Sequence, residues 1–70
     1  MGDLIFCQLA ADAIGKFTTE TAEAEHIIER LKARGDWELA VAQFRCGATP
    51  RVVKGIIERA CLEITGRAGS

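Results

Sequence analysis

The sequence predicts an all-α fold, built as a compact bundle of about four short helices. Three observations predict it. Apolar residues recur at helical spacing along most of the chain. Residues that typically start and stop helices divide this pattern into four segments. No segment alternates apolar and polar residues between turns of its own, as a half-buried strand would.

Length and composition indicate one small globular domain covering residues 1–70. The chain has 70 residues, of which 49% are hydrophobic and 27% are charged. A domain of this size has a thin core. The net charge of −1 creates no strong overall attraction to nucleic acid or membrane. We expect residues 67–70 to form a frayed tail.

The first two helices are predicted from their apolar faces and end signals. We expect helix one to run from Asp3, as its cap, to Lys16. Helix two is expected to start at Thr18 or Thr19 and to stop at Gly35. The predicted core residues of these two helices are Phe6, Leu9, Ala10, Ala13, Ile14, Phe17, Ala24, Ile27, Ile28 and Leu31.

Helices three and four are predicted in the same way. Helix three is expected to be capped by Asp36 and to run to about Arg45. Thr49 as cap and Pro50 as first helical residue make the clearest start signal in the chain, and helix four should run to about Ile64. The predicted core residues here are Trp37, Ala40, Val41, Phe44, Val52, Val53, Ile56, Ile57, Ala60 and Ile64.

Ile-Ile-Glu-Arg occurs in both helix two and helix four, but the flanking residues differ, so we interpret it as a common helical pattern and not as a repeat.

The segment from residue 37 to 57 resembles the helix-turn-helix motif of DNA-binding domains. In that motif a turn glycine is followed by a small apolar residue, a capping Ser or Thr, and apolar residues four and seven beyond the cap. Those places are filled here by Gly47, Ala48, Thr49, Val53 and Ile56. The chain departs from the motif four residues before the turn glycine, where Gln43 replaces the usual small residue, so helix three is expected to have either a shifted register or an irregular end at Cys46. The resemblance implies a small regulatory protein that binds duplex DNA with helix four.

The outer face of helix four holds the candidate DNA-binding residues, which are Thr49, Arg51, Lys54, Gly55 and Arg59. At about 100° per residue, Arg51 and Gly55 lie opposite the core, with Lys54 and Arg59 on the flanks. Gly55 would permit close approach to a DNA backbone. The alternative is an ordinary solvated face, in which Glu58 and Glu63 neutralise the basic residues.

Charge is also divided unevenly along the chain. Residues 1–44 carry four basic and eight acidic side chains, whereas residues 45–70 carry five basic and two acidic side chains. A basic end on a nearly neutral protein can act as an electrostatic footprint for nucleic acid. Helix four itself has few basic residues, so DNA binding would favour a dimer, which doubles them.

A different function class stays open, namely a protein-interaction module without DNA contact, such as an adaptor or a phage-type inhibitor of a larger protein. Leu4, Leu39 and Leu62 fall on faces assigned to solvent, and we predict them to form a partner interface, most simply in a homodimer. The alternative is that tight packing buries both sides of some helices. The acidic helix two could be a docking or nucleic-acid-mimicking face; its carboxylates are Glu20, Glu23, Glu25 and Glu29.

Other function classes are disfavoured. A single histidine, His26, is expected on an exposed polar face, so no catalytic pair can be named and we predict no enzyme activity. We predict no cofactor and no metal; a zinc site from His26 and the three cysteines lacks any standard ligand spacing. Cys7, Cys46 and Cys61 are expected to be free, buried thiols of a cytoplasmic protein, because their number is odd. No apolar run is long enough for a membrane span, and no targeting segment is expected.

Overall fold

The computed structural model describes the backbone of residues 2–66 and the side chains of residues 4–66. Four helices form one compact bundle: α1 (Gly2–Ile14), α2 (Thr21–Arg34), α3 (Asp36–Arg45) and α4 (Pro50–Thr65). The predicted all-α class and helix count are therefore confirmed. α4 is the central element, because it packs against each of the other three helices and makes the two most extensive contacts in the bundle, with α1 and α3.

The core combines apolar residues from all four helices. Its fully buried members are Phe6, Ala10, Ala13, Ile14, Ile27, Leu31, Ala40, Val53, Ile57, Ala60 and Cys61. The Phe6 ring joins α1 to α3 through edge-to-face contacts with Trp37, at 5.1 Å between centroids, and Phe44, at 5.8 Å. Lys32 of α2 lies over the Trp37 ring, with its Nζ 5.5 Å from the ring centroid.

The expected starts of the first three helices need correction. α1 begins at Gly2, before Asp3, whose side chain lies outside the described residues. Neither Thr18 nor Thr19 caps α2: Thr18 Oγ1 accepts a hydrogen bond from the Glu20 N–H at 3.1 Å, and Glu20 takes the N-cap position without a side-chain cap bond. A threonine that bonds two residues ahead makes a local turn, and this turn delays the helix start.

Asp36 is the first residue of α3 and not its cap. Gly35 ends α2 in the left-handed conformation, with φ of 87°, and is also the N-cap of α3. Because one glycine serves both ends, no residue is left between the helices for a separate capping side chain. The Asp36 carboxylate instead accepts a hydrogen bond from Arg34 Nε at 2.7 Å.

Three residues predicted to be buried are exposed. Val52 is 48% exposed, because the buried line of α4 passes through Val53 and Ile57 and a neighbouring residue points about 100° away from it. Of the three cysteines only Cys61 is buried; Cys7 and Cys46 are exposed. Cys7 lies on the outer side of α1, and Cys46 is the C-cap residue of α3, beyond the packed part of that helix.

Candidate nucleic-acid interface

The connection between α3 and α4 is a short turn with defined hydrogen bonds. The Ala48 N–H donates to the Gln43 carbonyl at 3.0 Å, and the Gly47 N–H donates to the Phe44 carbonyl at 3.1 Å. This pair of bonds is a Schellman motif, which requires a left-handed residue; Gly47 supplies it with φ of 93°. The expected irregular end of α3 at Cys46 is therefore a standard helix ending.

The start of α4 is as predicted. Thr49 is the N-cap, its Oγ1 accepts a hydrogen bond from the Val52 N–H at 3.4 Å, and Pro50 follows as the first helical residue. The Thr49 hydroxyl is thus engaged in starting the helix, although the residue itself is exposed. Both Ala42 and Gln43, near the point where the sequence departs from the helix-turn-helix motif, are exposed.

One exposed arc runs along α4 and contains most of the candidate residues. Its members are Arg51, Val52, Gly55, Arg59, Leu62 and Glu63, and we call it the α4 outer arc. Arg51 and Gly55 lie on this arc, as predicted, and Arg59, which was predicted on its flank, lies on it too. Lys54 is partly buried and lies at its edge, one turn before Glu58.

Both acidic side chains of α4 are paired with cations of other segments. Glu58 accepts a hydrogen bond from Lys16 Nζ at 2.9 Å, and Glu63 accepts one from Arg34 Nη2 at 2.6 Å. Hydrogen bonds to Asp36 first and Glu63 second raise the pKa of Arg34 above its ordinary value, so this guanidinium stays charged. These ion pairs connect α4 to the end of α1 and to the junction of α2 and α3.

The basic side chains of α4 are left without such partners. Across residues 4–66, none of the ion pairs involves Arg51, Lys54 or Arg59. If α4 presented an ordinary solvated face, Glu58 and Glu63 would neutralise these basic side chains. Instead, Glu58 forms its ion pair with Lys16 and Glu63 forms its ion pair with Arg34. The outer arc therefore carries two exposed guanidinium groups whose hydrogen-bond donors are available to an anion.

Gly55 lies between these arginines, and nothing in the described part of the chain crowds it. A Cβ atom built on Gly55 would meet no heavy atom within 4 Å. Its backbone is helical, so no special conformation calls for glycine either. A glycine inside a helix destabilises it by about 1 kcal/mol relative to alanine. The fold therefore does not account for Gly55, whereas close contact with an external backbone would.

Large apolar side chains are also exposed, including the three predicted to form a partner interface. Leu4 is 70% exposed, Leu39 48% and Leu62 42%. Ile5 on α1 and Val52 on α4 are exposed as well. Sequence periodicity missed Val52, because an apolar residue next to the core line of a helix cannot be separated from the core by spacing alone.

The remaining polar candidates do not form a site. His26 is exposed on α2, as expected, and so are Glu20, Glu25 and Glu29, whereas Glu23 is partly buried. Among the described residues, no three His, Cys, Asp or Glu side chains come close enough together to hold a metal ion. Burial, with a smaller contribution from Glu58, raises the pKa of the Cys61 thiol from 9.0 to about 11, which keeps it neutral and unreactive.

No helix within residues 2–66 has the length and apolar character needed to cross a membrane. Comparisons with protein-family models, curated proteins and solved structures find no match to this chain.

Proposed function

We propose that this protein is a small DNA-binding regulatory protein that places α4 in the major groove of duplex DNA. The observation that carries the proposal is the environment of Gly55. This glycine is uncrowded within the chain and lies between Arg51 and Arg59, which have no ion-pair partner among the described residues. A helix surface with a glycine at its centre and an arginine on either side of it is suited to contact with phosphates and base edges.

The basic residues have distinct expected roles. Arg51, in the first turn of α4, is positioned as a recognition helix positions its base-reading residues. Arg59, about two turns further along, is assigned to phosphate contact, as is Lys54 on the flank. Thr49 acts by setting where α4 begins. Free thiols at Cys7 and Cys46 fit a reducing compartment such as the cytoplasm.

The proposal is tested by titrating a random-sequence duplex with the protein and following fluorescence anisotropy between about 50 and 200 mM salt. Binding should weaken steeply with salt. The double variant Arg51→Ala/Lys54→Ala should lose most of this binding. Arg30→Ala/Lys32→Ala is the matched control, because it removes the same charge from α2 and should retain binding. Affinity no tighter than about 10⁻⁴ M at the lowest salt would contradict DNA binding. Equal losses in both variants would contradict contact through α4 and assign the binding to overall charge.

A second candidate function is protein interaction, and the exposed apolar side chains favour it. Four large apolar residues outside the first turn of α4 are 42–70% exposed: Leu4, Ile5, Leu39 and Leu62. Contact with a second copy of the chain, or with a larger protein, would bury them. A homodimer is compatible with both functions, since two-fold symmetry would present two copies of α4 to DNA.

Light scattering tests self-association. The homodimer predicts a mass of twice 7.6 kDa at micromolar concentration, and Leu62→Asp should shift it towards the monomer. A mass of 7.6 kDa at every concentration, with no duplex binding, would leave a larger protein as the partner to be sought.

A further inference from the structure

Val52 is an exposed apolar residue in the middle of the proposed DNA-contacting surface. It directly follows Arg51, is 48% exposed, and belongs to the first turn of α4, next to the Thr49 cap. On a helix, residues 52, 55 and 59 follow one another along one side. The isopropyl group of Val52 therefore lies on the same arc as Gly55 and Arg59, outside the core.

The edges of base pairs in the major groove offer one apolar group, the 5-methyl group of thymine. Small apolar side chains contact this methyl, whereas an arginine donates two hydrogen bonds to the O6 and N7 atoms of guanine. Adjacent residues at the start of one helix can reach adjacent base pairs. We propose that Val52 determines sequence specificity by contacting the 5-methyl group of a thymine next to the guanine bound by Arg51.

This inference rests on the proposed DNA-binding function and selects one type of nucleic acid. The major groove of double-stranded RNA is too narrow for side chains to read, and RNA carries uracil, which lacks the methyl group. A self-association role for Val52 is disfavoured by charge, because Arg51 and Arg59 flank it and a symmetric contact at this point would bring like charges together. Val52 thus fits the surface of DNA better than a second copy of this arc.

The experiment begins with selection from a library of randomised DNA duplexes by the wild-type protein, by Val52→Ala and by Thr21→Ala. Thr21→Ala is the matched control, because Thr21 is also an exposed β-branched residue in the first turn of a helix, but of α2. Wild type and Thr21→Ala should enrich duplexes with thymine beside guanine. Val52→Ala should keep the preference for guanine and lose that for thymine. Both substitutions affect exposed residues, and circular dichroism verifies that each variant is folded.

The enriched duplex is then compared with the same duplex carrying deoxyuridine in place of that thymine, which removes only the methyl group. Wild type should bind the deoxyuridine duplex roughly threefold to fivefold more weakly, the effect of one buried methyl group. Val52→Ala should bind both duplexes equally. If the wild type selects duplexes without any preference for thymine, or binds the thymine and deoxyuridine duplexes with equal affinity, the role of Val52 is overturned. The proposed DNA-binding function is not overturned by these outcomes. Failure of every duplex to bind would overturn the proposed function, and this inference with it.

Discussion

The tetrapeptide Ile-Ile-Glu-Arg occurs at residues 27–30 in α2 and at residues 56–59 in α4, and the two copies lie in different surroundings. In α2 the first isoleucine is fully buried and the second is partly buried; in α4 the order is reversed. The glutamate of α2 is exposed, whereas that of α4 is partly buried and pairs with Lys16. Both arginines are exposed.

The direction in which the tetrapeptide faces is decided by the rest of each helix. In α2 the buried line continues from Ile27 to Leu31, and in α4 it runs from Val53 through Ile57 to Cys61. The buried line passes through the first isoleucine of the tetrapeptide in α2 and through the second in α4. The tetrapeptide is therefore rotated by about 100° about the helix axis between the two helices. In α2 the four residues therefore supply a core contact and a solvated edge. In α4 they supply a core contact, the ion pair with Lys16, and Arg59 of the α4 outer arc.

The largest expected effect tests the reversal of the two isoleucines. Ile27→Ala and Ile57→Ala should each lower the free energy of unfolding by about 2–5 kcal/mol, because both residues are fully buried. Ile28→Ala and Ile56→Ala should cost distinctly less, because both residues are partly buried. Urea unfolding followed by circular dichroism measures all four. Equal losses for Ile56→Ala and Ile57→Ala would show that α4 is rotated differently.

The next largest effect is a pH dependence of stability caused by Cys61, which lies four positions after the buried isoleucine of α4. The matching position of α2 is Leu31. The pKa of Cys61 is raised from 9.0 to about 11 in the folded protein, so between these pH values the folded state binds more protons than the unfolded state. Its contribution to stability is therefore complete below pH 9 and is lost as pH rises towards 11. Cys61→Ala should flatten this dependence in unfolding measurements at alkaline pH. Cys46→Ala, which leaves Cys61 in place, should retain it.

A smaller effect separates the two arginines of the tetrapeptide. Arg59→Ala should weaken duplex binding several-fold for all sequences alike and reduce the slope of log affinity against log salt by about 1, as expected for one phosphate contact. Arg30→Ala removes the same charge from α2 and should change neither quantity beyond the small effect of net charge. Anisotropy titrations at several salt concentrations measure both. An equal change in the two variants would assign DNA attraction to overall charge and not to α4.

The smallest effect concerns the two glutamates. Glu58→Gln removes the ion pair with Lys16 and should lower stability by less than about 1 kcal/mol, because the pair lies at the surface. The loss should shrink at high salt. Glu29→Gln, at the matching position of α2, should have no salt-dependent cost. Thermal unfolding at low and high salt compares them, and a cost for Glu58→Gln that persists at high salt would argue against a simple surface ion pair.

Local sequence signals predicted helix ends well at positions where one residue type is clearly the best suited to the backbone conformation. Gly35 and Gly47 adopt the left-handed conformation at helix ends, and Thr49 with Pro50 starts α4 as expected. The starts of α2 and α3 were mispredicted, because several polar residues there could each have capped a helix. Which of them does so depends on the neighbouring turn, as the Thr18 and Gly35 geometries show.

The all-α class, the four helices and most of the core are predictable from the sequence, because apolar spacing and end signals act within a few residues of one another. The same spacing located Arg51 and Gly55 on an outer face, with Arg59 on its flank. The exposure of Val52, and the burial of Cys61 alone among the cysteines, depend on tertiary packing. The same holds for the pairing of Glu58 and Glu63 with Lys16 and Arg34, residues 42 and 29 positions away in sequence. Such contacts depend on how helices are rotated against each other, and this rotation is set by packing across the whole bundle and not by the spacing within one helix.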